Sequence, residues 1–178
     1  MYPFIRMFKE LYVHRKAPPL PIDGTHVSHH MCWPWDIDFW MELNNGRTLT
    51  LFDLGRIPLA RRTGLIPVLR QKKWGLTVAG SCVRYRRRIR PFERFEMRTR
   101  AAGVDHRFIY MEQSMWKASG ECANHAMYRT AVTGPAGIVP PSEVMAAMGV
   151  TEMPELPAHV TAWITAEDTR PWPPMADR

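Results

Sequence analysis

Asp36-Ile37-Asp38-Phe39-Trp40-Met41-Glu42-Leu43-Asn44-Asn45-Gly46-Arg47 is the densest polar run in this sequence, and its reading decides the fold. Asn44-Asn45-Gly46 is helix-start chemistry, and Leu49, Phe52, Asp53 and Arg56 recur behind it at helical spacing. Ahead of it, residues 26–38 read as a strand. Acidic groups and amides therefore meet where a strand hands over to a helix. The first helical turn leaves backbone N–H groups free and carries a positive partial charge, so it can hold a carbonyl oxygen that is gaining negative charge. A carboxylate just upstream can attack that carbonyl or activate water against it, a combination suited to acyl transfer. The same residues also fit a purely structural account, in which Asn44 or Asn45 caps the helix while Asp36, Asp38 and Glu42 offset its macrodipole.

Working outward, Pro58 predicts a kink or restart of the helix, Gly64 ends the region, and residues 66–73 form a second amphipathic piece. From Trp74 the hydrophobic period changes to two: Val83, Tyr85 and Ile89 share one face, and Arg84, Arg86 and Arg88 the other. Arg90-Pro91 closes that strand. Residues 92–102, 106–117 and 121–132 are the next strands, with turns at Gly103-Val104-Asp105 and Ala118-Ser119-Gly120, predicting three successive hairpin connections. Ser142 is placed to cap a short helix that runs to Met148 and stops at Gly149. Upstream, residues 1–25 form an apolar N-terminal segment and a linker marked by Pro18, Pro19, Pro21 and Gly24. In that segment Tyr2, Phe4, Ile5, Met7, Phe8, Leu11 and Tyr12 make an apolar stripe suited to packing or to a membrane surface, with packing favoured. Downstream, residues 150–178 form a proline-rich tail expected to be extended or partly disordered. One α+β domain, 26–149, remains: a central helix facing long antiparallel strands.

Length and composition agree. The 178 residues give room for one domain with a real core, and 46% hydrophobic with 23% charged residues is ordinary globular usage. The net charge of +7 is concentrated: residues 84–100 hold eight arginines against Glu93 and Glu96. Three cysteines, Cys32, Cys82 and Cys122, form no C-x-x-C pair, and no apolar run suits a signal segment or a span, so a soluble cytoplasmic protein is expected.

The string Asp38-x-x-x-Glu42-Leu43-Asn44-Asn45-Gly46-Arg47 resembles the D-x-D-x-x-x-H-x-N-N-G/A-R-Y signature of hotdog-fold acyl-CoA thioesterases, close to the 4-hydroxybenzoyl-CoA-thioesterase-like branch. Val83-Arg84-Tyr85-Arg86-Arg87, Arg90-Pro91-Phe92-x-x-Phe95, Phe108-Ile109-Tyr110-Met111-Glu112-Gln113 and Gly137-Ile138-Val139-Pro140-Pro141 extend the likeness. The resemblance implies a sheet of five or six antiparallel strands wrapped around the central helix. It also implies a homodimer or tetramer with the acyl-CoA thioester at the subunit interface. Carried over, Asp38 matches the family's nucleophile or general base, Asn44, Asn45 and Gly46 the helix start that polarises the thioester, and Asp36 the first acid of the motif, sharing a strand face with Asp38. The chain departs from the pattern in having Glu42 where the family has His, Thr48 where Tyr is common, and Pro58 within the helix. Glu42 is a second carboxylate for general-base work but lacks the imidazolium's donor. A non-catalytic acyl-thioester or lipid-binding protein is the alternative.

On that reading Arg84, Arg86 and Arg88 are candidates to seat the phosphates of CoA, against the plainer account of a charged outward strand face. Nucleic acid is a rival partner for clustered arginine. It is not expected here, because Tyr85 lies on the opposite face from Arg84 and Arg86 and is better placed to pack than to stack on bases. His26, His29 and His30 split between two strand faces and complete no ligand set, so no metal is expected, and stable membrane insertion is not expected either. Cys82 and Cys122 read as small core thiols. No G-x-G-x-x-G, Walker or G-x-S-x-G motif is present, and no cofactor is expected.

Overall fold

Alternation along the first part of one strand orients the sheet. In β3 (Arg94–Val104) Phe95, Met97, Thr99 and Ala101 are buried while Arg94, Arg98 and Arg100 are exposed, so one face points to a core and the other away from it. The computed structural model describes residues 2–175. Besides β3, its elements are α1 (Phe4–Val13), β1 (His26–Met31), α2 (Asn45–Arg62), α3 (Leu65–Lys72), β2 (Gly75–Tyr85), β4 (Ile109–Lys117), β5 (Cys122–Gly134), β6 (Gly137–Val139), α4 (Pro141–Met148) and α5 (Ala158–Asp168). The strands form a six-stranded antiparallel sheet in the order β1-β3-β4-β5-β2, with β6 added to the end of β5. Its inner face closes on α2, as a hotdog arrangement requires. Leu51, Phe52 and Leu54 of the helix are fully buried with Met97, Met115, Ala126 and Tyr128 of the strands. Each such side chain contributes about 1.5–3 kcal/mol of burial.

Gly55 is what lets helix and sheet approach so closely. A methyl group there would strike Thr99 Oγ1 and come within 2.9 Å of Met97 Sδ. Gln113 Nε2 spans the same contact, donating to Phe52 C=O and to Thr99 Oγ1, both at 2.8 Å.

Several expectations are corrected. The helix does not restart at Pro58 but continues as one element to Arg62 with Pro58 buried in it, because burial of Leu54 and Leu59 outweighs the one backbone hydrogen bond that proline forfeits. The first strand stops at Met31, since Pro34 redirects the chain into a 3₁₀ turn, Pro34–Asp36. Only two of the three hairpins form. β2 pairs with β5, not with its successor β3, and residues 86–93 cross under the strand ends, where both Arg86 N–H and Arg87 N–H donate to Ala123 C=O. Arg86 and Arg88 therefore lie beyond β2, so the three arginines do not share a strand face. Cys82 is exposed on this edge strand, and Ser142 lies inside the first turn of α4 rather than capping it.

The segment after Thr151 holds α5, which packs on the outer face of the sheet. Val160 is buried there with Ala102 and Tyr110, and the Trp163 ring meets Tyr110 edge-on at 6.1 Å. Beneath α5, Glu112 binds Arg100 at 2.6 Å and His159 at 2.6 Å, with His125 at 3.3 Å. Hydrogen bonds from His125, Arg100 and His159 hold its carboxyl far below the ordinary carboxylate range against the opposing effect of burial.

Among the described residues no helix is long and apolar enough to cross a membrane. His26 and His30 face inward on β1 while His29 is exposed. Burial pushes the imidazoles of His26 down to about 4 and of His30 down to about 3.

Candidate functional site

The run from Asp36 to Arg47 folds as a short looped ribbon ahead of α2. Ile37 and Leu43 bridge across it, Asn44 N–H donates to Asp36 C=O at 2.9 Å, and Leu43 N–H donates to Ile89 C=O at 2.8 Å. Inside the loop, Asp38 N–H donates to Glu42 C=O and Met41 N–H returns to Asp38 C=O, at 2.9 and 3.1 Å. Met41 closes this turn at φ 59°, the left-handed region that an unbranched side chain tolerates at a cost.

The two aspartates of the motif separate completely. They lie on no common strand. Asp36 is fully buried and accepts from Arg6 Nη1 at 2.5 Å, from Arg47 Nε at 2.7 Å and from Trp33 N–H at 3.0 Å. It is an anchor with its lone pairs committed. Asp38 is half-buried, and its Oδ1 accepts from Trp40 N–H at 2.9 Å. The backbone partly orients this carboxylate, which lies six positions ahead of the helix cap.

Asn44 caps α2, its Oδ1 accepting from Arg47 N–H at 3.0 Å. Among the described residues the N–H groups of Asn45 and Gly46 have no acceptor, as expected of a first helical turn. Tyr85 OH donates to Asn45 C=O at 3.3 Å, tying the end of β2 to the start of α2. Buried Thr48 donates its hydroxyl to Asn44 C=O at 3.1 Å. The start of α2 therefore presents two open amide donors, and the oriented Asp38 carboxylate lies on the loop that leads into it.

Glu42 is not free. Arg88 Nε lies 2.7 Å from its Oε2, a close ion pair that is not aligned as a hydrogen bond. Arg88 is thus spent on Glu42, while Arg84 and Arg86 are exposed and make no ion pair among the described residues. Burial pushes the Cys32 thiol up to about 11, away from nucleophile chemistry. Among the described residues no cluster of His, Cys, Asp and Glu could hold a metal ion.

Two clefts meet beside the helix start. A small one of about 420 Å³ is lined by Asp36, Asn44, Arg47 and Thr50 with Tyr2 and Trp35. A groove of about 1730 Å³ shares Tyr2, Trp35 and Arg47 and runs between α1 and the lower ends of β1, β3 and β4. Sequence reasoning missed Arg6 and Tyr85 as partners of this site. Arg47 stood within the motif, but nothing local marked it as the partner of Asp36.

A sequence profile of the thioesterase-like superfamily matches residues 32–164. Over 139 residues the chain is 32% identical to Protein THEM6 of Xenopus laevis, covering 76% of this chain and 65% of the length of that relative. Among solved structures, the DHNA-CoA thioesterase from Staphylococcus aureus superposes with a TM-score of 0.62 at 11% identity, over 81% of this chain and 93% of that one. Slr0204, a 1,4-dihydroxy-2-naphthoyl-CoA thioesterase from Synechocystis, gives 0.60 at 9% identity, over 70% and 95%. At such identities the likeness to solved structures is one of fold.

Proposed function

The chain belongs to the thioesterase-like superfamily, and from that premise we propose that it hydrolyses acyl-CoA thioesters at the N-terminus of α2. What supports this reading is the half-buried Asp38 carboxylate, oriented by Trp40 N–H, on the loop that leads into a helix start whose Asn45 and Gly46 amides are open. Asp38 takes a proton from water as the water oxygen attacks the thioester carbon. The carbonyl oxygen becomes an oxyanion held by the Asn45 and Gly46 N–H groups. The C–S bond then breaks, and the departing thiolate recovers the proton from Asp38. Direct attack by Asp38, giving a mixed anhydride that water opens, uses the same geometry. Arg84 and Arg86, exposed and unpaired among the described residues, are the groups suited to CoA phosphates.

The reading includes a homodimer. Among the described residues β2 pairs with β5 alone and is exposed on most of both faces, so its other edge is suited to the same strand of a second copy. Tyr85 OH links that edge to the α2 start, which supports a site close to the second copy.

Release of free CoA from a panel of acyl-CoAs, followed with a thiol-reactive dye, tests the proposal. Wild type should exceed Asp38→Asn on at least one substrate, and equality across the panel refutes it. One observation favours a second reading, binding without turnover: Glu42, in the family's His position, is locked to Arg88. That reading predicts thermal stabilisation by acyl-CoA without CoA release, and hydrolysis gained by Glu42→His.

A further inference from the structure

α1 buries only one side of its apolar surface. Met7 and Glu10 are buried, and Leu11 packs on the core. On the opposite arc Phe4, Phe8 and Tyr12 follow at four-residue intervals with Ile5 beside them, all between 62% and 86% exposed. Single exposed apolar side chains are ordinary, but a contiguous stripe of four marks a contact surface. Lys9, Arg15 and Lys16 border the stripe, and all three are exposed. The one acid of α1, Glu10, is 2% exposed and turned inward toward Lys9 and His14. The exposed arc is therefore aromatic and cationic, with no carboxylate.

A second group of side chains extends the surface. Phe4 and Ile5 line the 1730 Å³ groove together with Trp33 and Trp35, whose rings stack 5.2 Å apart. Trp35 is itself 66% exposed, and Arg94, lining the same groove, makes no ion pair among the described residues. Amphipathic Trp and Tyr rings next to Lys and Arg are the composition that lipid headgroups accommodate. The strand order places β1 at the edge of the sheet farthest from β2.

We propose that α1 docks on an anionic lipid surface. Phe4, Ile5, Phe8 and Tyr12 enter the boundary between headgroups and acyl chains, and Arg15 and Lys16 meet lipid phosphates. The helix lies on the membrane and does not cross it. This docking is independent of hydrolysis, so Asp38→Asn should bind vesicles as wild type does, and its outcome can be separated from that of the activity assay.

Co-sedimentation of the full chain with vesicles of phosphatidylcholine, and of phosphatidylcholine with phosphatidylglycerol at roughly 3:1, tests the proposal. Binding is expected on the anionic vesicles and should fall steeply as salt rises from about 0.1 to about 0.5 M. Phe4→Ser/Phe8→Ser should lower the partition coefficient at least about tenfold. Arg15→Gln/Lys16→Gln should lower it roughly 25-fold, at about fivefold per cation. All four side chains are exposed, so the variants should keep the wild-type circular dichroism and melting temperature. No binding to anionic vesicles, or equal binding by wild type and both variants, overturns the proposal. So does a vesicle-free oligomer that Phe4→Ser/Phe8→Ser dissociates, since the stripe would then be a protein interface.

Discussion

Replacing Asp36 by Asn should destabilise the fold rather than alter any chemistry directly. The substitution keeps the size of the side chain and one acceptor oxygen but removes the charge that Arg6 and Arg47 share at 2.5 and 2.7 Å. The carboxylate is fully buried, and the two guanidinium-bearing side chains are only 14% and 15% exposed, so water can solvate them only in part. Breaking one partner of a buried ion pair costs about 3–5 kcal/mol. The residual exposure of both arginines and the surviving bond to Trp33 N–H place the loss at the lower end, about 3 kcal/mol. For a chain of this length each kcal/mol moves the midpoint by roughly 2–4 °C, so the melting temperature should fall by about 6–12 °C. Thermal and urea unfolding at neutral pH, followed by circular dichroism, measure this directly. Asp38→Asn is the control: its carboxylate is half-buried with a single backbone donor, and its loss should leave the midpoint nearly unchanged while reducing turnover. A loss below about 1 kcal/mol for Asp36→Asn would refute the reasoning, showing that desolvation of the three charges cancels their attraction.

Asn45→Pro removes one helix-start donor at a position where proline is well tolerated, because Asn44 already has extended φ and ψ of −60° and 138°. Turnover should fall about 100- to 1000-fold with the melting temperature little changed, and unchanged steady-state kinetics would exclude that amide as an oxyanion donor. Gly55→Ala should cost about 1–3 kcal/mol, because the new methyl group collides with Thr99 and Met97 across the contact of α2 with β3, and urea titration reads the loss. His30, held near 3 by burial, and His26, held near 4, stay neutral in the folded chain while the unfolded chain protonates them below about 6.5. The unfolded state then binds more protons, so stability should fall as pH drops from about 6.5 toward 3, and His30→Gln should flatten that slope in unfolding titrations.

Much of the fold was readable because its signals are local. The turn at Ala118-Ser119-Gly120 and the Asn44 cap each act within a few residues, and each appears where the local pattern put it. Pro58 and the 158–168 helix were misread for the same reason. Local propensity opposes helix across Pro58 and reads as loop in a proline-rich stretch, whereas burial against Leu54 and against Tyr110 reverses both. At the site, the position of the helix start and its open amides were legible from Asn44-Asn45-Gly46. The division of labour between the two aspartates was not.

By itself the sequence determined a central helix with a capped, acid-flanked start, facing alternating strands, and it concentrated positive charge around 84–100. Tertiary structure alone decided which strand neighbours which, sending β2 across to β5, and which acid is structural. Asp36 became the anchor because Arg6 reaches it from 30 positions away and Arg47 from 11. It likewise decided that Arg88 neutralises Glu42 and that half of α1 faces outward. Capping and periodicity are set by neighbours a turn or a pleat apart, so a single sequence displays them. Ion pairing and burial depend on which distant segments share a dielectric environment, and that is defined only once the sheet has closed around α2.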